Sequence, residues 1–177
     1  MNAHLQTLLA AVEGRYFRHE ERQSLLAQAA SLPDRFQASD QVQEREEIIV
    51  QAVIDQLQQR YPESPAVIGP ALAKTTSDVL LVLRFNVQAM ILDDMRWLDE
   101  KVLFWLRTIL AAGNFVPQFS RDCFTLLRQY VSENVSPQAM ALLQPYLDRN
   151  IEVLSDLPEP AFARGQKSEV RGQNETV

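Results

Sequence analysis

One cysteine and two histidines are the only thiol and imidazole side chains in this chain of 177 residues, and their positions narrow the chemistry available to it. Cys123 has no partner for an internal disulfide, and no cluster of His, Cys or carboxylate residues flanks it to bind a metal or activate the thiol. It reads as a buried structural residue, because free cysteine behaves as a small hydrophobe. His4 and His19 lie near the N-terminus, whereas a haem-ligating proximal histidine in a globin-type fold sits past the middle of the chain. The acidic pairs Glu46-Glu47 and Asp93-Asp94 are adjacent in sequence, so their side chains point apart on a helix and serve as solvated or capping groups. Asp78, preceded by the hydroxyl residues Thr75, Thr76 and Ser77, lies near the start of a long apolar segment, where its charge suits the helix dipole. No nucleophile, base and orienting group, phosphate loop or metal spacing is visible, and the chain is not expected to be an enzyme.

The elements that must hold these residues read as helices throughout. Leu5, Leu8, Leu9 and Val12 follow the i, i+3, i+4, i+7 spacing of a one-faced helix ending at Gly14. Arg15 to Ala30 predicts a second helix that stops before Pro33, and Asp40 caps a longer one with the apolar face Ile49, Val50, Val53, Ile54, Leu57 and Tyr61. Pro62, Pro65, Gly69 and Pro70 break the chain, with Pro70 suited to a first helical turn. The helix from Ala71 to Leu92 is the most apolar of the protein, which predicts a central position. Asp93 and Asp94 mark a break and cap Met95 to Ala112, which ends at Gly113-Asn114. Pro117 opens a helix to about Val131, and Ser136-Pro137 opens another, interrupted at Pro145. The expected organisation is one all-α, globin-like domain over 1–154, with N-terminal arm helices in 1–32 and a flexible tail over 155–177.

Bulk composition agrees with one helical domain. A hydrophobic share of 46% fills a single core, and five glycines against nine prolines with abundant Ala, Leu, Gln and Glu favour helix. A net charge of -6 repels phosphate and argues against nucleic-acid partners. No apolar stretch is expected to approach the roughly 20 residues that span a bilayer, and Met1 to Ala11 lacks the features of a signal peptide.

From about Ala71 to Ala112 the chain resembles the phycobiliprotein subunits of cyanobacterial light-harvesting complexes without a gap. Ser77-Asp78-Val79-Leu80-Leu81-Val82-Leu83-Arg84-Phe85 is similar to the family's Arg-Asp-x-x-x-x-Leu-Arg-Tyr, and Asp93-Asp94 sits where the family has a Gly-Asp turn. Leu103-Phe104-Trp105-Leu106-Arg107 continues in register, and Gly14-Arg15-Tyr16-Phe17 resembles the Gly-x-Tyr-Leu that ends the family's N-terminal arm. The likeness covers roughly residues 5 to 132 and leaves the Ser136 helix and the tail as departures.

The resemblance implies a bilin site in which a Cys-x-Arg-Asp segment carries the pigment by a thioether. Here the matching residues are Thr75, Thr76, Ser77 and Asp78; a threonine hydroxyl is far less nucleophilic than a thiolate. Neither the cysteine nor the arginine that would meet a propionate is present, and only Asp78, which would accept from pyrrole nitrogens, remains. The expectation is no covalent cofactor, with a non-covalent bilin at Asp78 as the alternative.

In the family the arm packs on a second subunit. Leu5, Leu8, Leu9, Val12 and Tyr16 are the expected partner contacts, because so short a helix does not bury its own apolar face. Arg84 matches an arginine that in the family forms an ion pair across that interface; the acidic counterpart falls near Ala11, with Glu13 only nearby. These readings converge on a pigment-free relative that binds a helical partner or a second copy of itself and supports assembly, stability or turnover of phycobilisome or photosystem. Its expected location is cytoplasmic, peripheral at the stromal-side face of thylakoids and without membrane insertion. The alternatives are a non-covalent bilin carrier or sensor and a globin-like stress-signalling domain.

Overall fold

A computed structural model describes residues 7, 10–112 and 117–155. Among them every regular element is helical. The first, α1 (His19–Arg60), is a single helix of 42 residues, where the sequence predicts two helices broken at Pro33. Proline removes one backbone donor and crowds the carbonyl four residues back. Here Pro33 and Ala29 both face solvent, so water can serve the freed carbonyl. Two residues later Arg35 fixes the helix: Nη1 donates to the Met90 carbonyl, Nη2 pairs with Asp93 at 3.0 Å, and Nε donates to Ser31 Oγ at 3.0 Å.

A 3₁₀ turn (Pro65–Val67) and Gly69, at φ 58, lead into α2 (Pro70–Leu92), with Pro70 in its first turn as the sequence predicts. The apolar helix is not buried all round. Val79, Val82, Leu83, Asn86, Ala89 and Met90 form one buried stripe, while Leu80, Val87 and Ile91 on the other side are half-buried and Lys74, Arg84 and Gln88 are exposed. By length and composition this 23-residue helix could cross a bilayer, which corrects the expectation that no stretch approaches that length. Its buried stripe instead joins the protein core.

Asp93 ends α2 in the left-handed region, at φ 54, and the Asp94 side chain caps the next helix by accepting from Trp97 N at 3.0 Å. The predicted helix from Met95 to Ala112 is divided into α3 (Met95–Leu98), a π turn (Asp99–Leu103) and α4 (Phe104–Ala112). The wider turn carries Asp99, which accepts two hydrogen bonds from Arg149, both at 2.9 Å. The predicted cap at Gly113-Asn114 lies outside the described residues.

The last helices are α5 (Pro117–Asn134) and α6 (Pro137–Ser155). Ser136 Oγ accepts from Ala139 N at 3.2 Å, as a cap should. Pro145 does not interrupt α6. Like Pro33 it is exposed, and so is Ala141, whose carbonyl it deprives of a donor. The core forms where α1 packs on α2, α5 and α6, with α5 against α6; Ile49, Leu83, Leu103, Leu127 and Leu143 are fully buried there. The tail predicted over 155–177 lies outside the described residues except Ser155, the buried last residue of α6.

Candidate functional site

Thr75 and Asp78 lie one turn apart on α2 and line one cavity of about 30 Å³. Leu106 and Leu110 from α4, and Phe119, Ser120, Cys123 and Phe124 from α5, form its other walls. Tyr61, at the end of α1, steadies the α5 wall: its ring meets Phe119 edge-on at 5.2 Å, and its hydroxyl donates to Asp122 at 2.8 Å. That wall was not legible as part of the site, since no periodicity links residue 75 with residue 123.

The polar groups of the cavity are largely committed or desolvated. Thr75 Oγ1 donates to the Ala66 carbonyl at 2.6 Å and so ties the 3₁₀ turn to α2. Burial raises the pKa of the Asp78 carboxyl, and nearby Lys74 partly opposes the shift. Burial, with a smaller push from Asp78, raises the Cys123 thiol to about 12, so the thiolate that a nucleophilic cysteine needs is absent at neutral pH. Ser120 Oγ is buried without a hydrogen-bond partner.

These residues do not fit a thioether-linked open-chain tetrapyrrole. Sites for ligands of that size enclose several hundred Å³, and a cavity of about 30 Å³ is room for water. No cysteine stands on α2, and the thiol across the cavity is protonated. Among the described residues no cluster of His, Cys, Asp and Glu assembles to hold a metal.

The second feature is a surface. Not one residue of α1 before Ala38 is buried, and Leu26, Leu32 and Phe36 are exposed along that half, Leu26 by 68%. Tyr16 is 96% exposed, whereas Val12 is buried within the chain itself. Leu5, Leu8 and Leu9 lie outside the described residues. At the arm's turn Arg15 forms a two-pronged pair with Glu21, at 2.7 and 2.9 Å. That pair and the Arg18 backbone hold the Glu21 carboxyl at about 2.

Arg84 has a partner that the sequence reading did not identify. Its Nε and Nη2 each reach the Glu46 carboxylate at 2.7 Å, bridging α1 and α2. The two residues are 38 positions apart, and only the packing of the helices brings them together. The Arg84 hydrogen bond holds the Glu46 carboxyl below its ordinary range. Surface grooves of about 390 and 720 Å³ adjoin on either side of this pair.

A family model described as "Phycobilisome protein" matches residues 8–154. The match runs through α6, so the helix after Ser136, set aside above as a departure, belongs to the shared pattern. No curated protein matches the chain.

Proposed function

Since the chain belongs to the phycobilisome protein family, whose fold is all-α and globin-like, we propose that it is a pigment-free member that binds another helical subunit through its N-terminal arm. Its work is to support assembly, stability or turnover of the phycobilisome or photosystem. It occupies a subunit-like interface without contributing a chromophore. Family members are light-harvesting proteins rather than enzymes and assemble with other subunits of their kind. The identity of this chain's partner and a peripheral thylakoid location belong to the proposal.

The observation that carries it is the arm half of α1. Residues 19–37 make about five turns of helix with no buried side chain, so this half lacks the packing of an apolar face that supplies most helical stability in proteins. Exposed Leu26, Leu32 and Phe36 each contribute roughly 1.5 to 3 kcal/mol when fully buried, before association costs. Lack of pigment is supported by Thr75 at the attachment position and by the small volume beside it.

Replacing Phe36 with Asp tests the arm. It is expected to abolish association, measured by sedimentation or by capture of phycobiliprotein subunits, while leaving the far-ultraviolet circular dichroism unchanged. Association equal to that of the unmodified chain removes the arm from the interface.

A further inference from the structure

Pro33 leaves a gap in the backbone hydrogen bonding of α1, because the Ala29 carbonyl loses its donor. Helices bend at such points, and this one lies before Ala38, the first buried residue of α1. A run of side-chain hydrogen bonds crosses the gap. Ser31 Oγ donates to the Gln28 carbonyl at 2.8 Å and accepts from Arg35 Nε at 3.0 Å. Arg35 Nη1 in turn donates to the Met90 carbonyl, and Nη2 pairs with Asp93 at 3.0 Å. The run therefore begins on the arm side of Pro33 and ends on the last turn of α2. Its far end is built against a steric cost, since Asp93 takes the left-handed region, at φ 54, that glycine adopts freely. The Asp93 carboxylate is held from a third helix as well, by the Tyr146 hydroxyl of α6, which donates to it at 3.4 Å. With its side chain 11% exposed, Arg35 is not one of the solvated surface pairs that contribute little.

We propose that Arg35 is a positioning residue for association: with Ser31 and Asp93 it splints α1 across Pro33 and fixes the direction in which the arm half presents Leu26 and Leu32 to a partner. The positioning role rests on the reading of the arm as the binding surface. Arg35 need not touch the partner to act in this way. A binding element held in one direction before the encounter loses less freedom on association than one that swings, so the splint raises affinity without adding a contact.

The direction of the arm is read from nitroxide labels at two exposed positions of the full chain, Ala27→Cys on the arm and Gln138→Cys on α6; Cys123 is buried and stays unlabelled. Pulsed electron resonance, at a concentration below that of association, gives the distribution of distances between them. Arg35→Gln is expected to broaden that distribution at least about twofold and to weaken association, measured by sedimentation, about tenfold or more. Ser31→Ala, which keeps the Asp93 pair, is expected to move both readings the same way by less, and it carries the test if Arg35→Gln does not fold. Adding Pro33→Ala to either variant restores the backbone donor, and is expected to narrow the distribution and recover association. Loss of a contact with the partner shows no such rescue. An unchanged distribution overturns the splint. A broadened distribution with association intact, or no recovery with Pro33→Ala, overturns the positioning role. If the unmodified chain does not associate at all, it is the arm reading that fails, and the distance distributions decide the splint by themselves.

Discussion

At Thr75 a single hydroxyl has taken a structural task. It donates to the carbonyl of Ala66, a buried residue of the 3₁₀ turn, and Thr75→Val removes the donor at nearly constant volume. Leaving a largely buried carbonyl unpaired costs about 1 to 3 kcal/mol, so urea unfolding of this variant is expected to show a lower midpoint with an unchanged slope. Asp78 behaves in the opposite sense. Its folded pKa is raised by burial, so relative to the protonated form the charged form loses stability as pH rises through that pKa. Asp78→Asn removes the charge, and at pH 7 the variant is expected to melt at or above the temperature of the unmodified chain. On acidification below about pH 4, where a carboxyl protonates, the difference should close. A variant that melts lower at pH 7 would show that Asp78 makes a compensating interaction through its charge.

Helix boundaries set by local chemistry were legible in the sequence, and those set by tertiary anchoring were not. Pro70, Asp94 and Ser136 mark real helix starts because each acts on the backbone within a few residues. Pro33 and Pro145 were read as breaks by the same local rule. Both lie inside helices, since the carbonyls they deprive face water and, for Pro33, the Arg35 anchorage at the end of α2 fixes the next turn. The cavity was half legible: Thr75 and Asp78 stand in one stretch, but its other walls come from α4 and α5. The Glu46–Arg84 pair is likewise a product of packing between α1 and α2. Because Glu46 titrates lower in the folded chain, its contribution is complete above the ordinary carboxylate range and disappears as pH falls through the depressed folded value. Glu46→Gln is therefore expected to melt below the unmodified chain at neutral pH and to converge with it as pH falls below the ordinary carboxylate range. A difference that does not change with pH would mean that packing of the side chain, rather than its charge, joins the helices.

Among the described residues the core begins at Ala38, and the arm half of α1 contributes no buried side chain to it. The hydrophobic cluster runs from Ala38 to Leu154, and on the arm side of α1 Arg35 is tied to the end of α2 through Met90 and Asp93. Val12 is buried but is not part of that cluster. Removing residues 1–30 therefore preserves every side chain of that cluster and the Arg35 anchorage, while deleting Val12, Leu26 and the turn around Arg15 and Glu21. If the arm exists for a partner, the shortened chain should unfold in one cooperative transition within a few degrees of the full chain, because among the described residues up to 30 only Val12 is buried. Its association should be lost over the whole concentration range that supports complex formation by the full chain. The competing expectation, that the arm folds back to stabilise its own domain, predicts the reverse: a clear fall in melting temperature with association unchanged. A single pair of measurements, thermal melting and sedimentation on the same two proteins, decides between a helix kept for stability and one kept for a partner.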